Sequence, residues 1–367
     1  MQFGLSESQH LLKDNARKFF ADECPMSEVR RLMETANAYD AALWSKMAEQ
    51  GYTGIIFSEE HDGVGLGAVE LILLMEEAGR ALLPGPLFST VALAGAVLNE
   101  TGSPEQKKKY LAPICRGEAR ATLAFAEASA SWNPADLRLE SSSGKLSGEK
   151  LFVPDAAAAD MILVAARDGV FAVEAKAPGV STQPMVGMDS TRKLYFVRFQ
   201  NAPAEKLARP EGLARGLDIA AAALSAELVG GMQRTLDLTV EYAKARKQFG
   251  KPIGMFQAVQ HQCADMYLET ESARSAAYYA AWALAENTAD APAAVSIAKM
   301  YASDAARTVG NRGIQVHGGM GFTWENDVHL YYRRAKASET ALGDATFHRE
   351  RIARLVIDAE PAFAKSA

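Results

Sequence analysis

Cysteine is scarce in this chain. Cys24, Cys115 and Cys263 are the three among 367 residues, odd in number and far apart. That argues against a disulfide framework and against a thiolate metal site, and it fits a reduced, cytoplasmic compartment. Positive charge is not in excess either. With 39 Lys and Arg against 45 Asp and Glu the net charge is −6, and no basic segment is available to neutralise nucleic-acid phosphates. No apolar run reaches the length of a membrane span. The opening MQFGLSESQHLLKDNARKFF mixes both charge signs on an amphipathic period, which reads as a helix rather than a signal peptide. Repeats and low-complexity linkers are missing as well. What is present, 49% hydrophobic and 23% charged residues, suffices for a large core and two or three structural units.

The hydrophobic period changes twice along the chain. Residues 1–115 read as helices: one behind Ser6 or Ser8, one over Ala41–Gln50 and one carrying VELILLMEEAGRAL. Gly63, Gly65 and Gly67 punctuate the entry to the third. With no preceding strand and no following Lys-Ser/Thr, they read as a turn rather than a phosphate loop. Between 116 and 210 the short runs KLSGEKLFVP, MILVAAR, GVFAVEA and KLYFVRFQNAP, bounded by Gly, Asp, Pro and Ser, predict an antiparallel β domain. From 211 to 367 the helical period returns. Leu224, Leu228, Gly231, Leu238 and Tyr242 mark one stripe; Ile297, Tyr301, Ala305 and Val309 mark another. The expected fold class is therefore α+β: an N-terminal helical domain, a middle antiparallel β domain and a C-terminal helical bundle.

The densest chemistry lies in RKQFGKPIGMFQAVQHQCADM, residues 246–266. Arg246 and Gln248 offer donors at a helix end. Gly250, Pro252 and Gly254 stop that helix, and a new amphipathic run begins near Phe256. Such donors at a helix break suit a phosphate or carboxylate. On spacing alone, an ordinary surface arginine beside a turn is the commoner outcome.

This segment resembles the Arg-x-Gln-Phe-Gly signature of the flavin-dependent acyl-CoA dehydrogenases. The likeness extends over nearly the whole chain. LWSKMAEQGYTGIIFSEEHDGVGLG resembles a family region near the N-terminus, with Ser58 where proline is usual. GSPEQKKKYLAPICRGEARATLAFAE resembles the connection into the β domain. QVHGGMGFTWENDVHLYYRRAKA, residues 315–337, resembles the Gln-x-x-Gly-Gly-x-Gly turn. The resemblance implies that Arg246, Gln248 and Phe249 grip the pyrophosphate side of FAD. It also implies that Gln315, Gly318, Gly319 and Gly321 pack on the FAD of a neighbouring subunit, so that the site needs at least a dimer and commonly a tetramer. An acyl-CoA substrate and an electron-transferring flavoprotein as acceptor follow from the same likeness.

The implied reaction removes a proton from Cα and a hydride from Cβ of an acyl-CoA, giving the trans-2-enoyl thioester. It needs a desolvated carboxylate base and donors on the thioester carbonyl. Leu342 stands at the family's usual base position, just before Gly343, and Ala220 stands at the alternative one. Three acids are candidates to replace them. Glu227 lies in the apolar ALSAELVGG, where burial would raise its pKa, or where it is a structural carboxylate paired with an arginine. Asp344 either caps the final helix or touches the cofactor ribose. Glu339 reads as a solvated face residue. The Leu342 N–H remains available to polarise the carbonyl.

The flavin-facing loop departs as well. AEASASWNP keeps Glu127 but puts Ala126 at the family's threonine. Phe152-Val153-Pro154 replaces Trp-Ile-Thr, and Pro154 has no N–H to donate. Backbone N–H groups near Ala126 and Ala128 could still meet the ring's pyrimidine edge. These departures resemble the small, divergent subunits of heteromeric acyl-CoA dehydrogenases of steroid, ring or dicarboxylate catabolism. Three readings stand: a dehydrogenase with an unusual base, as a homotetramer; a base-lacking partner in an α2β2 assembly; and a flavin scaffold with oxidase chemistry. The small residues Ala220–Ala223 leave room for a bulky acyl chain, or simply let helices pack closely.

Overall fold

The computed structural model describes residues 4–358. Its first third is helical: α1 (Glu7–Glu23), α2 (Met26–Met33), α3 (Ala41–Glu49), α4 (Ala68–Arg80), a π-helical stretch Phe88–Gly95 that runs into α5 (Ala96–Thr101), and α6 (Pro104–Cys115). Local sequence sets these starts. Ser6 accepts from Gln9 N–H while the Gln9 side chain accepts from Ser6 N–H, a capping box. Ser103 and Gln106 repeat the device at α6. Gly67 opens α4 as expected, with no strand before it.

The strands that follow are β1 (Ala121–Ala124), β2 (Ser141–Ser142), β3 (Lys145–Pro154), β4 (Met161–Ala166), β5 (Gly169–Glu174), β6 (Val180–Met185), β7 (Leu194–Pro203) and β8 (Glu205–Lys206). They form two four-stranded sheets, ordered β1-β4-β5-β8 and β2-β3-β7-β6. Ile162, Val164, Phe171 and Val173 of the first share a core with Leu146, Val153, Val197 and Phe199 of the second. The pairing is antiparallel except at one place, a correction to the sequence expectation. β1 pairs β4 in parallel, Ala121 beside Met161, which the long excursion through β2 and β3 permits.

The last block is α7 (Leu213–Ala245), a hairpin of β9 (Lys247–Gln248) and β10 (Lys251–Pro252), α8 (Gln257–Ala285), α9 (Ala291–His317), α10 (Val328–Thr340) and α11 (Ala345–Ile352). α7 is the axis of the molecule. Its first half packs into the same core as the N-terminal helices, through the buried run Ala220–Leu224; its second half shares a separate core with α8 and α9. α4 crosses α7 backbone to backbone. A Cβ on Gly79 would lie 2.0 Å from Glu227 O, and one on Gly230 would lie 1.8 Å from Glu76 O. The expected α9 stripe is half right: Ala305 and Val309 are buried, but Ile297 is exposed and Tyr301 half-buried, and Ala298 and Ala302 complete the buried face instead. No helix among the described residues is long and apolar enough to cross a membrane.

Candidate functional site

The expected site residues fall into two groups, one just past the C-terminal end of α7 and one along its first half. Leu217, near one end, and Arg246, just past the other, are separated by roughly 43 Å of helix at 1.5 Å per residue.

At the far end, the chain leaves α7 with Arg246 N–H still bonded to Tyr242 O, then turns through Phe249 and Gly250. Both have positive φ, +54° and +79°, as a two-residue hairpin turn of this hand requires. Lys251 then pairs with Gln248. Arg246, Gln248 and Phe249 are exposed, and Arg246 enters no ion pair among the described residues. Tyr242 stacks on His317, ring centroids 4.4 Å apart, so the end of α9 lies directly beside the hairpin. There Gly318 (φ +61°) breaks the helix, and Gln315, Gly318 and Gly319 are exposed. A Cβ on either glycine would meet nothing within 4 Å. An open depression of about 370 Å³ is lined by Gln315, Gly318, Asn311, Ile314, Phe322 and Tyr332. An uncompensated guanidinium, two amides and accessible backbone suit a pyrophosphate. The two motifs, expected to address cofactors of different subunits, sit side by side on one chain.

At the near end, Leu342 occupies the last turn before α11 with φ +59°. Its carbonyl accepts from His348 Nε2 at 3.0 Å, and the neighbouring Gly343 carbonyl accepts from Lys299 Nζ at 3.0 Å. Burial, assisted by the charge of Lys299, pushes the His348 pKa down to about 3, so the ring is neutral and donates from Nε2. Lys299 is fully buried and pushed down to about 7 by desolvation, against the charges of Glu339 and Asp344. Asp344 is the N-cap of α11, accepting from Phe347 N–H at 2.8 Å. Glu339 is not simply solvated: it pairs with Arg307 and Lys336.

Glu227 is the main correction. It is 3% exposed and gripped from both sides: Arg334 Nη1 donates to Oε1 at 2.8 Å and Arg192 Nη2 to Oε2 at 2.5 Å. Arg334 also donates to Asp189 Oδ2 at 2.6 Å and Thr191 Oγ1 at 2.6 Å. Burial alone would raise the Glu227 pKa, but the two guanidiniums outweigh it and hold the carboxyl below its ordinary value. A carboxylate so paired is a poor proton acceptor, the reverse of the raised pKa its apolar helix suggested.

The positions expected to face the flavin lie on the β domain. Ala126 is buried, its carbonyl taken by Leu151 N–H at 2.8 Å. Phe152 has φ +55° and points outward, 43% exposed. Glu127 is held by Lys150 Nζ at 2.7 Å, with that lysine buried and also bonded to Phe125 O. Trp132, Pro134, Leu217, Ala221 and Leu342 line a cavity of about 90 Å³, and a separate open depression of about 580 Å³ borders Glu127, Ala128, Ser129 and Leu151. The residues at the far end fit a dinucleotide. Sequence reading missed Arg192, Arg334 and Asp189, and also Asp218, a buried acid in the cavity wall that Arg351 binds through both nitrogens. The compact Asp189-Ser-Thr-Arg192 run was the one local signal for the first group.

A helical block, a two-sheet block and a helical bundle, with paired donor motifs at a bundle end, define an acyl-CoA dehydrogenase-type fold. Residues 6–118 match the acyl-CoA dehydrogenase N-terminal domain and residues 213–357 the C-terminal domain. The chain belongs to the acyl-CoA dehydrogenase family. It is 34% identical to acyl-CoA dehydrogenase IpdE2 of Mycobacterium tuberculosis, over 92% of this chain and 93% of that protein. The structure superimposes on the ChsE4-ChsE5 complex from Mycobacterium tuberculosis with a TM-score of 0.90 at 28% identity, covering 99% and 100% of the two chains. It superimposes on a variant of the Tcur3481-Tcur3483 steroid ACAD with a TM-score of 0.88 at 32% identity, covering 96% and 98%.

Proposed function

We propose that this chain is the base-lacking subunit of a heteromeric, FAD-dependent acyl-CoA dehydrogenase that desaturates an acyl-CoA thioester to the trans-2-enoyl-CoA. The observation that carries this reading is Glu227 locked between Arg192 and Arg334, with Leu342 and Ala220 standing where carboxylates would serve. The proton must then be taken by a glutamate on another chain. Bound FAD would supply the hydride acceptor. This chain's part is to hold the dinucleotide's pyrophosphate through Arg246 and Gln248 and to present Gln315, Gly318 and Gly319 beside it.

Because the two ends of α7 lie so far apart, one dinucleotide can meet a flavin-facing cleft and the Arg246 end together only if the cleft comes from a second chain. The names of two structural neighbours, one a two-chain complex and one a steroid ACAD, favour an α2β2 assembly acting on a bulky, ring-bearing thioester. An electron-transferring flavoprotein is the acceptor in keeping with the family. No observation favours the self-sufficient homotetramer or the oxidase reading.

The test is co-expression with a glutamate-bearing homologue, followed by acyl-CoA turnover with an artificial acceptor. Activity should require both chains and vanish when the partner's glutamate is replaced by glutamine. Turnover by this chain alone would defeat the proposal.

A further inference from the structure

We propose that the Asp155 carboxyl keeps its proton in the folded chain, and that this proton latches the β domain onto the N-terminal helical block. The inference is independent of the subunit role proposed above. Three successive residues of the π-helical stretch build the junction. Phe88 packs its ring under the Arg192 guanidinium, 4.7 Å from the ring centroid. Thr90 Oγ1 donates to Ala121 O at 3.0 Å and accepts from Ala121 N–H at 3.1 Å. Between them, Ser89 Oγ lies 2.7 Å from Asp155 Oδ2. Asp155 stands in the turn after β3, three residues beyond Phe152, 1% exposed and with φ +52°. Its N–H donates to Lys193 O and its carbonyl accepts from Ala158 N–H, both at 2.9 Å, so the backbone holds the carboxyl in place.

Charge balance singles this acid out. The cluster holds three carboxyls, Asp155, Asp189 and Glu227, against two guanidiniums, and both of those are spent on Asp189 and Glu227. No ion pair among the described residues includes Asp155. Its Oδ1 has no hydrogen-bond partner. Its Oδ2 has one, a hydroxyl whose single hydrogen is also within reach of Pro86 O at 3.3 Å. A bare carboxylate in such a place loses far more on leaving water than one shared hydrogen bond returns. A proton on Oδ2 answers both shortages: the carboxyl donates to Ser89 Oγ, and Ser89 turns its own hydrogen to Pro86 O. Burial accordingly holds this carboxyl above the usual aspartate range, against the pull of the Ser89 hydrogen bond and of the Arg192 and Arg334 charges. The other groups facing it do not compete for the proton. Glu227 is kept ionised by its two arginines, the Tyr195 phenol, pushed up by burial, donates to Ala36 O, and the Lys193 ammonium donates to Met33 O. Loss of the proton opens the latch as pH rises, at the turn that follows Phe152–Pro154.

Because the folded pKa lies above the unfolded value of about 3.9, the latch contributes in full below that pH and is lost as pH climbs toward the folded value. The test compares urea unfolding of the wild-type chain and Asp155→Asn from about pH 4 to about pH 8. Asparagine tolerates the positive φ and offers Ser89 a permanent donor, and the other titrating groups, His348 included, cancel in the difference. The expected result is that the wild-type folding constant falls against the variant's by roughly tenfold per pH unit above about pH 4, levelling off only where Asp155 ionises. Parallel curves, or a variant that loses ground as pH rises, overturn the latch. If Asp155→Asn does not fold, infrared spectroscopy of the wild-type chain decides. At about pH 6, where exposed carboxyls are ionised, the C=O stretch of a protonated carboxyl should be present and should shift in Ser89→Ala. No such stretch, or one that Ser89→Ala leaves unmoved, overturns the latch.

Discussion

The two ends of α7 answer the same cofactor chemistry in opposite ways. At the far end the backbone is opened: Gly250 and Gly318 break the chain into exposed turns, and Arg246 is left without a countercharge among the described residues. At the near end every charge is spent internally. Glu227 is paired twice, Asp218 is held by Arg351, Lys299 and His348 clamp the turn that carries Leu342, and the cavity that remains measures about 90 Å³. Unpaired polar groups that cost nothing in water are what a binding surface offers. Buried groups that satisfy one another are what a folded core requires. One end therefore reads as an open binding surface and the other as a satisfied, packed interior.

The largest test of that contrast is Glu227→Ala. A catalytic base would lose activity and leave stability intact. A structural carboxylate leaves Arg334 and Arg192 buried without their partner, so the loss should be about 3–5 kcal/mol of unfolding free energy, read from urea denaturation. At the far end the opposite pattern is expected. Arg246→Ala should leave the melting temperature of the isolated chain unchanged. In the two-chain complex it should weaken FAD retention by about 10- to 100-fold, the worth of a hydrogen bond to a charged group at roughly 1.5–3 kcal/mol, measured by flavin release on dilution.

A pH series addresses the clamp. His348 titrates near 3 when folded and near 6.5 when unfolded, so between those values the unfolded chain binds the extra proton. Stability should fall as pH drops through that window. His348→Gln should remove the dependence, losing on the order of 1–2 kcal/mol less than wild type between pH 6.5 and 5, from a slope of about 1.4 kcal/mol per unit. The smallest expected effect is on activity in Leu342→Glu. It supplies a carboxylate at the family's position, yet the chain alone should still not oxidise an acyl-CoA in an artificial-acceptor assay, because the cavity that Leu342 lines measures only about 90 Å³. Turnover there would break the comparison.

The fold was legible wherever one stretch of sequence determines one element. KLSGEKLFVP became β3 over Lys145–Pro154 and Ser6 became a helix cap because alternation and capping are local physics. β6 was hidden: VSTQPM is largely polar, carries Pro184 and lies at a sheet edge. The parallel β1–β4 pair was hidden because register across a long excursion leaves no periodic trace. The same division holds for the site. The hairpin and glycine motifs are contiguous and could be read. The partners of Glu227 are 35 and 107 residues away along the chain, so the sequence showed the carboxylate's apolar helix and not the arginines that neutralise it.

The most direct measurement is the flavin content of the chain, purified alone and then with a glutamate-bearing partner, from visible absorbance against polypeptide concentration. The account predicts a colourless chain alone, and a yellow complex holding one FAD for every two polypeptides. One tightly bound FAD per polypeptide in the isolated chain, with acyl-CoA reducing it, would contradict the account.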